Sequence, residues 1–213
     1  LTDITHLPVS SAAGAGSALL FSGGETAACI VRGLVVRGGI GTDRGGRDYG
    51  GGALIEGASP TFEAVRFESN SADSGGGAAI LAGAPAFIDC TFSDNDSRLG
   101  GGLYVENGSV SVVGGWFTNN SARPLNSPAY GGGALIADGA TGDFDSVRFE
   151  GNEAEQGGGG GLATSTGSLG THANECHFVD NSPGTFNAPG FGGGVHARGP
   201  FLAEECDFID NGT

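Results

Sequence analysis

The sequence predicts an all-β fold, a single right-handed parallel β-helix of about seven coils with three short strands each. Three observations carry this. A Phe-x-x-Asn element occurs six times, at Phe67–Asn70, Phe92–Asn95, Phe117–Asn120, Phe149–Asn152, Phe178–Asn181 and Phe208–Asn211. Its copies are spaced 25, 25, 32, 29 and 30 residues apart, the period range of solenoids and other repeat arrays. A glycine block precedes each copy, at Gly50–Gly52, Gly75–Gly77, Gly100–Gly102, Gly131–Gly133, Gly157–Gly161 and Gly192–Gly194.

Within one repeat, from Gly50 to Asn70, three short strand-like runs are separated by small and turn-forming residues. Helical periodicity is absent, and a 25-residue period of alternating pattern leaves no room for a helix. Each strand must then stack on the same strand of the next coil, an advance of about 4.8 Å per coil. The right-handed preference of parallel crossovers sets the winding. The alignment gives four apolar files. Ile55, Ile80, Val105, Ile136, Ala163 and Ala197 form the first, and Phe62, Phe87, Val112 and Phe144 the second. Val65, Cys90, Gly115, Val147, Cys176 and Cys206 form the third. The fourth holds Phe67, Phe92, Phe117, Phe149, Phe178 and Phe208, all six expected to be buried, whose rings can pile face over face. Beside it Asn70, Asn95, Asn120, Asn152, Asn181 and Asn211 can form an amide ladder that satisfies buried polar groups coil after coil. Both motifs read as structural.

Residues 50–213 are thus a six-repeat β-helix, and residues 1–49 an N-terminal segment with degenerate coils. In the latter, Cys29–Gly39 has the strand pattern, with Val36 near the Phe position and Gly39 near the Asn, and Ser17–Phe21 reads as a strand. The chain has 24 acidic and 9 basic residues, all nine Arg, for a net charge of −15. That balance argues against nucleic acid and anionic membranes as partners. No stretch approaches the ~20 apolar residues of a membrane-spanning helix. With no Met and no basic-apolar leader, the sequence reads as a mature chain or a piece of a longer solenoid.

The paired motifs carry a resemblance. Gly76-Gly77-Ala78 and Gly132-Gly133-Ala134 with the six Phe-x-x-Asn elements resemble the repeats of chlamydial polymorphic outer membrane proteins and related bacterial surface proteins of the β-helix class. The resemblance covers roughly Gly50 to Asn211, and Gly193-Gly194-Val195 matches more loosely. It implies an extracellular, passenger-like or adhesive surface domain. The sequence as a whole reads as a non-catalytic extracellular or cell-surface structural module: adhesin stalk, passenger segment or filament subunit. Its partners would be other protein subunits or a host or cell-surface ligand. The alternative is a carbohydrate-active β-helix, a polysaccharide lyase or hydrolase, or a glycan-binding module.

Candidate chemistry is sparse. Cys176 and Cys206 fall in one inward column of adjacent coils and read as stacked thiols rather than a disulfide. His6, His172, His177 and His196 are scattered. Ser93-Asp94-Asn95 resembles a β-lactamase element, but that chemistry needs a Lys and the chain has none. No catalytic residue, metal ligand or cofactor is expected. Calcium is the alternative, at Gly38–Asp43, which begins like a calcium-binding nonapeptide, or shared by Asp180 and Asp210. The densest carboxylate cluster is Glu175, Glu204, Glu205 and Asp207.

Two surfaces stand out. The segments Ile40–Tyr49, Ser121–Tyr130 and Ser182–Phe191 lengthen the same corner in three coils, and insertions on one face often mark the binding face. They supply a candidate binding edge of Arg44, Arg47, Tyr49, Arg123, Tyr130, Phe186 and Phe191. Leu54, Ala79, Tyr104, Leu135 and Leu162 alternate with the first inward file, so they are expected to point outward as an apolar stripe that is covered by a lateral contact with another chain or with the N-terminal segment. An uncapped coil exposes unpaired strand edges, so the C-terminal coil is expected to be covered by downstream sequence or another subunit.

Overall fold

A computed structural model describes residues 4–5, 8–10, 16–123, 129–184 and 192–212. The chain winds as a right-handed parallel β-solenoid with three principal sheets. The first sheet stacks seven strands, including Leu19–Phe21, Ala53–Glu56, Ala78–Leu81, Leu103–Glu106, Ala134–Ile136, Leu162–Thr164 and Val195–Ala197. The second stacks eight, from Ile4–Thr5 and Ile30–Arg32 through Ser109–Val113 to Phe201–Glu204. The third also stacks eight, from Pro8–Ser10 and Val35–Arg37 through Trp116–Thr118 to Asp207–Ile209. Among the described residues no helix is long and apolar enough to cross a membrane.

Like sits on like along the axis. Phe67, Phe92, Phe117, Phe149 and Phe178 are fully buried, with centroids of successive rings 4.6 to 4.8 Å apart and interplanar angles of 4 to 14°. Phe208 stacks on Phe178 at 4.8 Å but is 52 % exposed. The expectation that all six rings are buried therefore needs correcting: among the described residues no strand packs on the far side of Phe208. The Asn side chains run a continuous amide ladder. Asn95 Nδ2 donates to Phe67 O at 2.8 Å and to Asn120 Oδ1 at 2.9 Å, and the pattern repeats through Asn120, Asn152 and Asn181 to Asn211. Val36 takes the Phe place beside Phe67, and the Gly39 N–H donates to Asn70 Oδ1.

The residue before each ladder Asn turns left-handed: Ser69, Asp94, Asn119, Gly151, Asp180 and Asp210 have φ from 52 to 63°. This explains Asp94, Asp180 and Asp210 without a cation, since Asp, Asn and Gly best tolerate that conformation. The turn between the second and third sheets imposes the same constraint on Glu175 and Glu205, both at φ 51°. Glycine is required at the corner before the first sheet. Gly75 has φ 68°, while a Cβ at Gly77 would overlap Gly102 O and lie 2.8 Å from the Phe92 ring.

The five-glycine block shifts the alignment of one coil. Gly159, at φ 72°, matches Gly131, and Gly158 bridges Tyr130 in the preceding corner. Leu162 consequently pairs with Ala134, Ala163 with Leu135 and Thr164 with Ile136. This corrects two assignments. Leu162 points into the core rather than outward, and Thr164 replaces Ala163 in the first inward file. A glycine run carries no side-chain marker of where the corner ends, so the pattern alone could not place the slip.

The corner itself carries more structure than three strands per coil. Asp96–Ser97, Ser121–Ala122 and Glu153–Ala154 form a short fourth sheet, and Thr42–Asp43 pairs antiparallel with Asp48–Tyr49 in a hairpin. Asp43 belongs to that hairpin, its Oδ1 accepting from the Gly46 N–H at 3.4 Å.

Candidate interaction groove

The outer face of the first sheet is a second, smaller core. Leu54 and Ala79 are fully buried there, and Tyr104 and Leu135 nearly so, together with Ala137 and Ala163. What covers them is the chain's own corner. Tyr49, Leu99 and Tyr130, each just before a glycine block, bridge successive coils and pack back over the sheet with Leu81. The cover over Leu54, Ala79, Tyr104 and Leu135 therefore comes from Tyr49 of the N-terminal segment and from the later corners at Leu99 and Tyr130, rather than from another chain. Strand alternation gives the direction of a side chain but not what lies beyond it.

This arrangement collects all three tyrosines of the chain. Tyr49 and Tyr104 have ring centroids 6.1 Å apart, and Tyr130 lies over His196 at 5.9 Å with an interplanar angle of 13°. A cavity of about 210 Å³ opens among Leu99, Tyr104, Tyr130, Leu135 and Ala137. Its polar wall is Glu106, Asp138, Thr164, Ser165 and Arg198. Burial, reinforced by the Glu106 carboxylate, raises the Tyr104 phenol well above its usual pKa, so it stays a neutral donor. Ser165 Oγ donates to Asp138, and the Arg198 guanidinium lies 5.7 Å over the Tyr130 ring. Burial, and then the Arg198 charge, lowers the His196 pKa.

The candidate binding edge divides between two places. Arg47 lies 5.9 Å over Tyr49, and Arg44 grips Glu56 through two hydrogen bonds of 2.7 and 2.6 Å. Tyr49 and Tyr130 belong to the cluster over the first sheet, and Tyr130 lines the cavity. Arg123 instead faces Asp96 at 3.4 Å and Glu155 at 3.8 Å, beside the fourth sheet. Phe186 and Phe191 lie outside the described residues. Glu106, Asp138, Ser165 and Arg198 were not singled out from sequence. Their one legible signal was position, two or three places after the outward file of the first sheet.

The carboxylate cluster near the last coils does not converge. Glu204 Oε2 is 2.9 Å from His172 Nε2, Asp207 Oδ2 is 3.1 Å from His177 Nδ1, and Glu175 accepts from Ser146 Oγ at 3.4 Å. Among the described residues, no group of three or more His, Cys, Asp or Glu is placed to hold a metal ion. All four cysteines are free thiols, and burial pushes Cys90 and Cys176 up to about 12.

A repeat-built tube with stacked internal ladders defines a class of protein, and comparison with known families agrees. The family model described as right handed beta helix region matches residues 14–181, so the chain belongs to that family. No curated protein matches it, and no solved structure does.

Proposed function

We propose that this chain is a non-catalytic structural β-solenoid of the cell surface or extracellular space, an adhesive stalk whose ligand-contacting face is the tyrosine groove. One observation carries the reading. The interior is spent on the Phe and Asn ladders, while the three tyrosines gather over the first sheet, Tyr104 and Tyr130 lining one groove with Arg198, and Arg47 lying over Tyr49. Aromatic and Arg side chains are enriched in binding hot spots, and a stacked β-tube holds them rigidly. The Gly-Gly-Ala and Phe-x-x-Asn likeness to chlamydial-type surface repeats supports the location and the adhesive role. An acidic exterior suits a surface protein that must stay soluble.

The test is binding of the purified chain to immobilised cell-surface glycans and surface proteins. Tyr130→Ala and Arg198→Ala should each weaken capture at least about tenfold, as hot-spot truncations do, with an unchanged circular dichroism spectrum. Capture that survives both substitutions would refute the groove as the binding face.

A second reading is a carbohydrate-active β-helix. What favours it is that Glu106 and Asp138 line the same cavity as Tyr104 and Tyr130, where paired carboxylates can serve as acid and base. Release of new reducing or unsaturated ends from a polysaccharide, lost in Glu106→Gln, would decide for that reading.

A further inference from the structure

Among the described residues, six of the nine arginines lie within ion-pair distance of a carboxylate. Arg198 does not, although Glu106 and Asp138 line the same cavity. Asp138 accepts from Ser165 Oγ and Glu106 faces the Tyr104 phenol, but neither meets a cation among the described residues. A protein that pairs most of its arginines thus leaves both signs of charge open in one groove.

Register places these charges. Val105, Ile136, Thr164 and Ala197 are stacked partners, so the residues that follow them, Glu106, Ala137, Ser165 and Arg198, share one file on the outer face. The small Ala137 and Ser165 leave a notch, and opposite charges stand at its two ends. Asp138 is one coil beyond Glu106, and Arg198 two coils beyond Asp138, about 10 Å at about 4.8 Å per coil. The Tyr130 ring supports the Arg198 guanidinium from 5.7 Å, which leaves the edge N–H groups to donate. Leu99, Tyr104 and Leu135, from the same coils as Glu106 and Asp138, wall the acidic end.

We infer that the groove binds a phosphocholine group, an inference that rests on the groove being the ligand-contacting face. The trimethylammonium lies against Tyr104, between the Glu106 and Asp138 carboxylates, and the phosphate oxygens accept from the Arg198 guanidinium. Charge complementarity selects this chemistry. A simple anion would face Glu106 and Asp138, and a simple cation would face Arg198. A neutral sugar would desolvate all three charges and supply no counter-charge. A ligand that carries both signs pairs them all. A quaternary ammonium suits the acidic end better than a primary one. It has no N–H to satisfy, Asp138 Oδ1 being taken by Ser165, and its methyl groups match the Tyr104 ring and the leucines. The cavity, about 210 Å³, lies below the ~300–1,000 Å³ of drug-sized sites and suits a headgroup. Choline lipids and choline-decorated surface polymers both present this group.

The test is isothermal titration of the whole chain with phosphocholine, choline, phosphoethanolamine and inorganic phosphate. Phosphocholine should bind at least about tenfold more tightly than each of the other three. Arg198→Gln should abolish its advantage over choline. Glu106→Gln should weaken both choline compounds at least about threefold and keep that advantage. Co-sedimentation with phosphatidylcholine vesicles, set beside capture by a phosphocholine–albumin conjugate, separates the sources: vesicle binding assigns the lipid headgroup, and capture by the conjugate alone assigns a polymer-borne group. No binding of phosphocholine at about 10 mM, phosphoethanolamine bound as tightly, or Arg198→Gln with its preference over choline intact would overturn the assignment. Surface capture that needs Tyr130 but is not competed by phosphocholine would overturn it too, while leaving the groove as the binding face. Capture that survives Tyr130→Ala would remove the groove itself.

Discussion

Removing one rung of the amide ladder tests the fold most directly. Asn120 is fully buried and makes four side-chain hydrogen bonds. Its Nδ2 donates to Phe92 O at 2.8 Å and Asn152 Oδ1 at 2.9 Å, and its Oδ1 accepts from Asn95 N at 3.2 Å and Asn95 Nδ2 at 2.9 Å. In Asn120→Ala the Asn95 amide side chain keeps Phe67 O, and Asn152 Oδ1 keeps the Asn120 N–H. The Asn95 backbone N–H loses its acceptor. One orphaned buried donor costs about 1–3 kcal/mol and each of the three further lost bonds about 0.5–1.5, so the expected loss is about 2.5–7.5 kcal/mol. Asn120→Asp should cost at least as much at pH 7, because it buries a carboxylate beside two acceptors. Its deficit should shrink as pH falls, when the protonated acid can donate again. Guanidinium denaturation of the three proteins reads these values. A loss for Asn120→Ala under about 1 kcal/mol, or Asp milder than Ala at pH 7, would refute the ladder as a source of stability.

Three further outcomes follow from the same geometry. Phe117 lies between Phe92 and Phe149 at 4.6 and 4.8 Å, so Phe117→Ala should cost about 3–5 kcal/mol on denaturation. Gly77→Ala should destabilise by at least about 2 kcal/mol, since its Cβ has no space against Gly102 O and the Phe92 ring; a neutral result would mean the corner can open. His196 is held below its ordinary pKa by burial and then Arg198, so the stability it lends is present above its unfolded pKa of about 6.5 and lost as pH falls through the lower folded value. Thermal melts from pH 7.5 to 5 should therefore drop more for the parent than for His196→Gln. Asp48 and Asp96, raised chiefly by burial, push the other way at lower pH and are common to both proteins.

Much of this protein was determined by its sequence alone, because a parallel stack turns one-dimensional period into three-dimensional contact. Six copies of Phe-x-x-Asn at near-constant spacing leave few ways to satisfy the buried amides other than one above another. The period therefore named the sheet order, the Val36 place beside Phe67 and the turn before each Asn. What it could not carry was the length of chain spent at a corner. The Gly157–Gly161 run hides a slip of one residue, and with a side-chain period of two that slip turns Leu162 inward and puts Ala163 on the outer face. Nor could alternation show that Tyr49, Leu99 and Tyr130 fold back over Leu54 and Tyr104. A strand pattern records which face a side chain leaves by, whereas cover depends on the path of residues outside the repeat. The groove and its polar wall are products of that path, so only the tertiary structure brought Tyr104, Tyr130, Glu106, Asp138 and Arg198 around one cavity.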